Sequence, residues 1–484
     1  MTAQLRFGEQ TLAPADFERS VRKGASGLAA LGVGPGDVVC ILLHNQPTFV
    51  QAMLSVRALG AYYCPINWHY KAEEAGWILR DSGAKALVTD PELRSQVRAG
   101  LPSGLAIIDD WQRWHAGFAE WAGEERSPGS LMPYTSGTTG RAKGVRRLSQ
   151  TPAEMALMQQ PLREVLGIEP GMRALLPAPL YHSAPSGYAV QCMLRAELLV
   201  LEPRFDAERT LALIERERLT HAYLVPTMYV RLLRLPETVK RRYDLSSLRF
   251  VASTGSPCPA EVKRAMIEWW GTVLHESYAA SELGYVTCIS SEEALRKPGS
   301  AGRPCGRAVI RILDNDGREL PRGKVGLIYA RQPAFPEFTY NNNPEARAAI
   351  ERDGLCSLGD MGFLDEEGYL YVCDRASDMV ISGGVNIYPA EIEATLALMP
   401  GVRDCAVFGI PDEEFGEALA AAVQPEPGFA LDEAAVRDFL SSRIAGYKVP
   451  RLITFHEELP REESGKIFKR RLRAPYWEKA GRRI

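Results

Sequence analysis

Residues 37–89 alternate between short apolar runs and segments whose apolar residues recur at helical spacing. The predicted elements are strand 37–44, helix 47–59, strand 62–66, helix 73–82 and strand 84–89. A strand–helix–strand–helix–strand order favours a parallel sheet with helices packed on its faces. This alternation restricts the chain to an α/β fold more strongly than any other feature of the sequence.

The alternation returns further along the chain and predicts a second α/β sheet. The predicted elements are strands 172–178, 198–202, 222–225 and 248–253, with a helix over 207–217. Asp206 stands directly before that helix. It is a suitable N-cap, because its carboxylate can accept a hydrogen bond from a free amide of the first turn.

A different pattern follows residue 285, where the helical signal becomes weak. Strand-like segments at 309–313, 325–330 and 369–373 lie beside Asp- and Gly-rich turns, so we expect an antiparallel sheet or a small β-barrel. From residue 389 onward the pattern is mixed again and predicts a compact α+β unit. Its predicted elements are helix 389–398, strands 402–410 and 418–424, helix 432–444 and strand 452–457.

The composition excludes several classes of function. The 57 Lys and Arg residues nearly balance the 60 Asp and Glu residues, so no strong field attracts nucleic acid or an anionic membrane. No apolar run reaches the roughly 18 residues of a membrane span, and segment 1–30 has no secretion signal. The nine cysteines are scattered without a C-x-x-C pair, which indicates reduced thiols. We therefore expect a cytoplasmic enzyme.

The segment Tyr134–Gly144 carries the clearest chemical signal. It reads YTSGTTGRAKG and combines four Ser or Thr hydroxyls, three glycines and a lysine. Glycines let backbone amides turn toward an anion, hydroxyls add donors, and Lys143 adds positive charge. The segment is therefore predicted to bind phosphate, with a flexible surface loop as the alternative. It differs from a P-loop, because Gly144 follows Lys143 where a P-loop has Ser or Thr.

The same segment contains S-G-T-T-G-x-x-K-G, which resembles the signature of the adenylate-forming superfamily. That family includes acyl-CoA synthetases, peptide-synthetase adenylation domains and luciferases of the firefly type. Four further motifs follow in the family's order, so the resemblance covers essentially the whole chain. It implies an α/β fold with a large N-terminal domain (1–375), built from two α/β sheet subdomains and a small β-barrel. A small mobile α+β C-terminal domain (376–484) follows.

The resemblance implies an ATP and AMP site that draws on several motifs. The predicted nucleotide-binding residues are Thr135, Ser136, Gly137, Thr138, Thr139, Gly140, Lys143, Ser256, Pro257, Ser277, Tyr278, Ser281, Asp360 and Arg375. In this interpretation Tyr278 stacks on adenine, Asp360 binds the ribose hydroxyls and Glu282 holds Mg²⁺. The motif E-S-Y-A-A-S-E departs from the family's Y-G-x-T-E at two positions. One of them, Ser281, keeps the hydroxyl needed for a phosphate oxygen.

The motif P-L-Y-H-S-A-P is similar to the family's segment beside the acyl carboxylate. His182 is therefore predicted to be catalytic together with Glu282, although a packed core histidine is the alternative. The predicted acyl-pocket residues are His182, Ala184, Tyr188, Tyr223, Val225, Gly255 and Ala279. No aspartate stands near His182 to hold a substrate ammonium, which favours a simple carboxylic acid. Small residues together with aromatic ones suit medium-chain fatty acids or aryl and phenylpropenoic acids.

The C-terminal domain supplies the remaining predicted residues. Lys466 in S-G-K-I-F-K-R matches the family's catalytic lysine, which stabilises charge that develops at the α-phosphate. Ser377 occupies the family's hinge position, which is usually Asp or Lys. Lys469 and Arg470 are expected in solvent or near the CoA phosphates. The predicted CoA-binding residues are Ser382, Gly383, Gly384 and Lys448, with a plain surface position as the alternative for Lys448.

These implications lead to an ATP-dependent carboxylate–CoA ligase. Its expected co-substrates are ATP and CoA, and its expected metal is Mg²⁺. The expected partners are small molecules, with neither nucleic acid nor a membrane, and a homodimer is the candidate assembly. A stand-alone adenylation enzyme that loads an acyl carrier protein is the alternative, and a non-catalytic nucleotide sensor is a third hypothesis.

Overall fold

The computed structural model describes residues 1–123, 129–135, 142–461 and 467–479. The chain divides into two compact units, Met1–Ile310 with Ala330–Cys356, and Arg311–Tyr329 with Ser357–Ile484. Each unit therefore consists of two separate stretches of the chain. The predicted domain boundary at 375/376 concerns which part of the chain is mobile, and it stays a prediction.

The larger sheet of the first unit has seven strands. In spatial order they are Leu274–Glu276, Phe250–Ser253, His221–Leu224, Arg173–Leu176, Leu198–Leu201, Gln4–Phe7 and Gln10–Leu12. Neighbouring strands are parallel except at the Gln10–Leu12 edge, which pairs antiparallel. The four strands predicted for this sheet are confirmed with slightly different bounds.

The second sheet of this unit has four parallel strands. Their order is Tyr62–Pro65, Val38–Ile41, Ala86–Val88 and Ala106–Ile108. The predicted strand–helix–strand–helix–strand succession is confirmed, since Pro47–Ala58 and Ala72–Asp81 are the connecting helices. Val38–Ile41 and Tyr62–Pro65 are buried at every residue. Strands covered on both faces read as continuous apolar runs, which is why the sequence identified them.

Helices make up most of the rest of the first unit. Their bounds are Pro14–Ala30, Pro47–Ala58, Ala72–Asp81, Pro91–Val97, Trp111–Ala116, Pro152–Leu157, Gln159–Leu166, Ser183–Arg195, Ala207–Arg216, Pro226–Leu233, Glu237–Lys240, Ala260–Trp270, Ser291–Arg296 and Pro344–Ala348, with a 3₁₀ turn at Arg98–Gly100. Several begin with proline, whose fixed φ suits the first helical position. The predicted cap is confirmed, because Asp206 Oδ1 accepts from the Arg209 amide at 2.9 Å.

Short antiparallel strands complete the first unit. A three-stranded sheet has the order Phe338–Tyr340, Lys143–Arg147 and Tyr134–Thr135. The two-stranded pairs are Ala279–Ala280 with Gly284–Tyr285 and Thr287–Cys288 with Arg303–Pro304. Glu351–Arg352 pairs with Leu355–Cys356, which also pairs at Cys356 with Ala330 and so belongs to a larger antiparallel sheet.

The second unit contains a hairpin and a mixed sheet. In the hairpin Asp360–Leu364 pairs with Leu370–Arg375, and residues 361–362 also pair with 326–327. The mixed sheet consists of Val385–Ile387, Val380–Ser382, Gly416–Pro425, Val402–Asp412 and Leu452–Phe455. The helices are Pro389–Leu396, Glu433–Ser441 and Lys469–Lys479, with a 3₁₀ turn at Gly446–Lys448. The predicted α+β unit is confirmed.

The predicted small β-barrel is wrong for the described part of the chain. Val309–Leu313 and Gly326–Arg331 pair with each other, but the antiparallel strands between 309 and 375 do not close. A barrel requires every strand to be paired along both edges. Leu370–Arg375 pairs only with Asp360–Leu364, so the sheet stays open at this strand.

Among the described helices, none is both long enough and apolar enough to cross a lipid bilayer.

Candidate active site

Glu282 lies in the turn of the hairpin that starts with Ala279–Ala280, and the residue is only 7% exposed. Its Oε1 accepts hydrogen bonds from Thr135 Oγ1 at 3.0 Å and from Tyr340 OH at 3.3 Å. Burial raises the pKa of Glu282, while the two hydroxyls and the Arg147 guanidinium oppose that rise. The structure therefore places the predicted residues Thr135 and Glu282 in direct contact.

Lys143 begins the central strand of the three-stranded sheet. It pairs with Thr135, so the two strands bring both ends of segment 135–143 together. The Lys143 ammonium lies over the Tyr340 ring, 5.2 Å from its centroid, in a cation–π contact. A side chain at Gly144 would come within 2.8 Å of the Tyr134 ring. Glycine after the lysine is therefore required for this close packing.

Asp81 is the last residue of the helix Ala72–Asp81, and its hydrogen bonds connect this helix to the three-stranded sheet. Tyr134 OH donates to Asp81 Oδ2 at 2.6 Å. On the other edge of the sheet, the side-chain amides of Asn341 and Asn342 donate to the Asp81 carbonyl at 2.6 Å and 2.9 Å. One residue thus fixes the chain just before the Ser/Thr-rich segment and just after Tyr340.

Arg147 and Ser183 hold Ser281 from two sides. The Arg147 guanidinium donates to the Ser281 carbonyl at 3.0 Å and lies over the Phe335 ring at 4.5 Å. Burial lowers the pKa of Arg147, and Glu282 is among the groups that counteract this. The Ser281 and Ser183 hydroxyls are 2.8 Å apart and hydrogen-bonded. Ser183 begins the helix that follows His182, so the two predicted motifs meet at this contact.

Asn45 fixes the backbone segment that leads to His182. Its side-chain amide donates to the carbonyls of Ala178 and Glu202 at 2.9 Å and 3.1 Å, and its Oδ1 accepts from the Leu180 amide at 2.8 Å. Asn45 itself is buried, and His182 is half-buried. The three bonds orient the turn on which the predicted catalytic histidine stands.

The predicted acyl-pocket residues divide into buried and accessible positions. Tyr188 and Tyr223 are fully buried, and their ring centroids lie 5.5 Å apart. The accessible or half-buried positions are His182, Ala184, Val225, Gly255 and Ala279. Gly255 has a φ of +98°, a conformation that disfavours any side chain.

The residues predicted to surround adenine follow two neighbouring parallel strands, which pair in register at Ser253 and Glu276. The Ser277 amide donates to the Ser253 carbonyl at 3.0 Å, and Thr254 Oγ1 donates to the Ser277 carbonyl at 3.0 Å. Ligands of open α/β sheets bind beyond the carboxyl ends of the strands. Beyond these strand ends lie the predicted residues Ser256, Pro257, Ser277 and Tyr278.

In the second unit, Asp360 and Arg375 pair across the hairpin. Arg375 Nε lies 3.6 Å from Asp360 Oδ1, and the side chains are 52% and 16% exposed. The two predicted nucleotide-binding residues therefore lie in contact with each other. Their roles at the ribose stay predictions.

The helix Lys469–Lys479 makes two contacts through basic side chains, and one of them is at the predicted hinge residue Ser377. Arg473 donates to the carbonyl of the exposed Ser377 at 2.9 Å. Lys469 Nζ lies 2.8 Å from Glu393 Oε1, and its side chain is 18% exposed. Burial would lower the pKa of Lys469, but the Glu393 carboxylate raises it. The expectation that Lys469 lies in solvent is therefore wrong.

Of the predicted CoA-binding residues, Gly383 and Gly384 are exposed, whereas Ser382 and Lys448 are half-buried. Gly383 and Gly384 form the tip of a hairpin directly after Ser382, with φ values of +56° and +81°. Lys448 Nζ donates to both carboxylate oxygens of Glu391 at 2.7 Å. The backbone at Gly383 and Gly384 has the positive φ values that favour glycine. Lys448, by contrast, already forms an ion pair with Glu391.

Six predicted site residues lie outside the described residues. They are Ser136, Gly137, Thr138, Thr139, Gly140 and Lys466. Their roles rest on the sequence resemblance alone.

The sequence reasoning missed four residues that the structure brings to the site, namely Tyr340, Arg147, Asp81 and Asn45. A signal for Asn45 was available, because a polar residue that follows a buried parallel strand stands at the ligand-binding edge of the sheet. Tyr340 gave no such signal, because its partner Glu282 lies 58 positions away in the chain.

In the part of the chain that the structure describes, no three His, Cys, Asp or Glu side chains cluster as metal ligands. Glu282 stands as a single buried carboxylate next to the Thr135 hydroxyl. Such a donor set suits Mg²⁺, a hard cation that commonly takes one or two protein carboxylates and completes its shell with phosphate oxygens and water.

Comparisons with known proteins give consistent matches. Residues 2–336 match the family described as AMP-binding enzyme, and residues 391–466 match its C-terminal domain. Feruloyl-CoA synthase from Amycolatopsis sp is 35% identical over 478 residues, which cover 97% of this chain and 95% of that protein. Indoleacetate–CoA ligase from Aromatoleum aromaticum is 34% identical over 483 residues, which cover 96% and 93%. ATP-bound MatB from Rhodopseudomonas palustris superposes with a TM-score of 0.85 and 29% identity, covering 98% and 96% of the two chains.

Proposed function

This chain belongs to the AMP-binding enzyme family, and from that membership we propose that it is an ATP-dependent carboxylate–CoA ligase. The carboxylate oxygen of an acid attacks the α-phosphorus of ATP, which forms an acyl-AMP and releases pyrophosphate. The CoA thiol then loses its proton and attacks the acyl carbon. The bond to AMP breaks, and acyl-CoA and AMP leave.

The observation that supports this site most strongly is the buried Glu282 carboxylate between two hydroxyl donors. Adenylation needs positioning and charge neutralisation more than a covalent enzyme intermediate. Thr135 and Lys143 stand at the two ends of the Ser/Thr-rich segment, and Tyr340 contacts both Glu282 and Lys143. The same few side chains thus join the predicted phosphate segment to the predicted metal ligand.

Mg²⁺ belongs to this proposal, with Glu282 as its protein ligand. When bound, the ion would neutralise negative charge on the phosphates. Thr135 and Tyr340 orient the carboxylate by donating to its Oε1, and Arg147 positions the adjoining turn through the Ser281 carbonyl.

The remaining roles extend the proposal to the rest of the nucleotide and to CoA. Tyr278 stacks on adenine, Asp360 accepts from the ribose hydroxyls, and Lys466 stabilises charge at the α-phosphate. The C-terminal domain then rotates about Ser377. This rotation moves Lys466 away from the acyl-AMP and brings the Gly384 turn to it. A change of domain orientation of this kind is a known means of switching between two sites.

Within the proposed class, the substrate is an aryl or arylalkenyl carboxylic acid. Two of the most similar relatives are named for ferulate and indoleacetate, both aromatic acids. In this chain the half-buried small residues Ala184 and Ala279 leave room for a flat group, and the buried Tyr188 lies one helical turn after Ala184. Tyr188 in turn makes a tilted ring contact with Tyr223.

Pyrophosphate release tests both the reaction and the substrate class. Purified protein is assayed with ATP, Mg²⁺ and a panel of aryl, phenylpropenoic and medium-chain aliphatic acids, with and without CoA. We expect release with an aryl-type acid and a thioester only when CoA is present. Transfer to an acyl carrier protein but not to CoA would favour the stand-alone adenylation alternative, and no release with any acid would contradict the proposal. The cytoplasmic location and the homodimer stay predictions from the sequence.

A further inference from the structure

A buried ion pair lies at the base of the predicted adenine-binding segments. Lys263 Nζ is 2.7 Å from Glu276 Oε2, and the two side chains are only 6% and 9% exposed. The same ammonium donates to the Ser300 carbonyl at 3.2 Å. Removing two charges from water is unfavourable unless geometry and further hydrogen bonds compensate for it. An apolar pair would fill this part of the core at lower cost, so the pair calls for another explanation.

Glu276 connects both segments that the nucleotide would contact. It ends the strand Leu274–Glu276, and Ser277–Tyr278 follow it directly. Burial raises the pKa of Glu276, while Lys263 and the backbone amide of Cys258 oppose that rise. Cys258 directly follows Ser256–Pro257 in the neighbouring turn. Glu276 therefore directly precedes one segment, and its strand pairs at Ser253 with the strand that leads to the other segment.

A small cavity adjoins the ion pair. It is large enough for about one water molecule and is lined by Tyr229, Ser253, Lys263 and Glu276, among others. The Tyr229 and Ser253 hydroxyls are buried beside each other, and neither makes a well-formed hydrogen bond among the described residues. Buried hydroxyls are nearly always satisfied, often by ordered water. Ser253 pairs in register with Glu276, so the cavity sits where the two strands end.

We propose that Lys263 and Glu276 are positioning residues for the nucleotide, and that ordered water between Tyr229 and Ser253 completes their network. The network holds the strand ends at Ser253 and Glu276 in register. It thereby places the turn at Ser256–Pro257 and the segment Ser277–Tyr278 on either side of the adenylate. This inference rests on the proposed function, because it assigns the support of that nucleotide site.

A double-mutant cycle tests the inference. Lys263→Met, Glu276→Met and the double variant are compared with the wild type by thermal unfolding and by steady-state pyrophosphate release. Each single variant should raise the KM for ATP by about tenfold or more, because small misplacements of a binding segment have large kinetic effects. The KM for the acid should change much less. The double variant should fold well, since apolar pairs replace buried ion pairs readily, yet keep the raised KM for ATP.

Ser291→Ala is the matched control. The Ser291 hydroxyl donates to the Leu274 carbonyl and accepts from the Leu274 amide, both at 2.9 Å, at the other end of the same strand. It should lower the unfolding temperature and leave the KM for ATP unchanged. A folded double variant with a wild-type KM for ATP would contradict the positioning role. A double variant that does not fold would also contradict it, because the pair would then be needed for the fold itself.

Two further measurements separate this inference from the function on which it rests. If the wild type releases no pyrophosphate with any acid, the proposed reaction fails, and calorimetric AMP binding to the same variants still decides the positioning role. A high-resolution crystal structure should show water bonded to Tyr229 and Ser253. An empty cavity there would overturn the part of the proposal that concerns water.

Discussion

The Tyr340 hydroxyl donates to Oε1 of Glu282 at 3.3 Å and so joins the end of one strand to a hairpin turn that lies far away in the chain. Thr135 donates to the same oxygen from a second strand. Two neutral hydroxyls thus orient one buried carboxylate without neutralising its charge. Burial raises the pKa of Glu282, and a bound cation would lower it again, so that Mg²⁺ would favour the charged form that the proposed adenylation requires.

Tyr340→Phe removes one of these donors and keeps the ring that contacts Lys143. A hydrogen bond to a charged group is worth about 1.5–3 kcal/mol, so we expect kcat/KM for ATP to fall by about ten- to a hundredfold. Pyrophosphate release at several Mg²⁺ concentrations measures this. Tyr243→Phe is the control, because Tyr243 OH donates to the surface carboxylate of Glu208 at 2.9 Å. If Tyr340→Phe and Tyr243→Phe lose kcat/KM for ATP to the same extent, the Tyr340 hydroxyl does not orient Glu282.

Glu282→Gln keeps the shape of the side chain but removes the charge that would bind Mg²⁺. We expect adenylation to fall by at least about a hundredfold, and excess Mg²⁺ to restore little of it. Pyrophosphate release over a Mg²⁺ titration is the measurement. Near-normal release by the variant would reject Glu282 as the metal ligand.

Asn45→Ala removes three hydrogen bonds from the segment that leads to His182. We expect the KM for the acid to rise by about tenfold and the KM for ATP to change little, because the turn at 178–182 loses its anchor. Steady-state kinetics with each substrate varied separates the two effects. Gln424→Ala is a matched control in the second unit, where the buried Gln424 amide donates to the Glu457 carbonyl at 2.7 Å. If Asn45→Ala raises the KM for ATP as much as the KM for the acid, Asn45 does not act through the turn at 178–182.

Lys466→Ala and Gly384→Leu should separate the two half-reactions. Lys466→Ala should fail to form acyl-AMP but still convert supplied acyl-AMP and CoA to acyl-CoA. The reason is that the lysine stabilises only the charge that develops at the α-phosphate during adenylation. Gly384→Leu should show the reverse, because its side chain would block the pantetheine path. Pyrophosphate release and thioester formation from synthetic acyl-AMP measure the two steps.

A control is needed for backbone strain at Gly384, whose φ is +81°. Gly428→Leu introduces the same strain at a φ of +84° in the same unit, and no neighbour lies within 4 Å of its new Cβ. It should leave both half-reactions intact. If Lys466→Ala and Gly384→Leu each lose both steps equally, rotation about Ser377 has to be abandoned.

Stability should fall at mildly acid pH because of His221, which stacks on Phe250. Burial lowers the pKa of His221 to about 4. The unfolded state therefore takes up this proton more readily, and the contribution of His221 to stability is complete above about pH 6.5 and is lost as the pH falls toward 4. The loss amounts to about 3 kcal/mol.

Urea unfolding of the wild type and of His221→Gln between pH 7 and 4.5 measures this contribution. We expect the unfolding free energy of the variant to depend less steeply on pH. Some slope should remain, because the pKa of His275, on the other face of Phe250, is also lowered to about 4 by burial. Parallel curves for the two proteins would show that His221 is not responsible.

The sequence predicted the strands of the two α/β sheets well, because buried parallel strands such as Val38–Ile41 are continuous apolar runs. It also predicted the Asp206 cap, which depends only on local chemistry. The helix Pro14–Ala30 was missed, since its buried face includes glycines and alanines that give a weak apolar pattern.

The site was predicted in part, for a similar reason. Short contiguous motifs carried Thr135, Lys143 and Glu282, and these residues do lie together. Tyr340 and Lys263 could not be found, because their roles arise from contacts with residues distant in sequence. The small barrel was a wrong prediction, since turn residues indicate hairpins but not whether the outer strands meet.

The interleaving of the two units has a consequence for how the protein is made. Segment 311–329 belongs to the second unit, but it leaves the ribosome before the first unit is complete at Cys356. At typical synthesis rates it then waits about ten seconds or more for the rest of its own unit. During that interval residues 326–327 lack their strand partners at 361–362. The order of synthesis therefore leaves an open strand edge in this segment until residues 357–484 have been made.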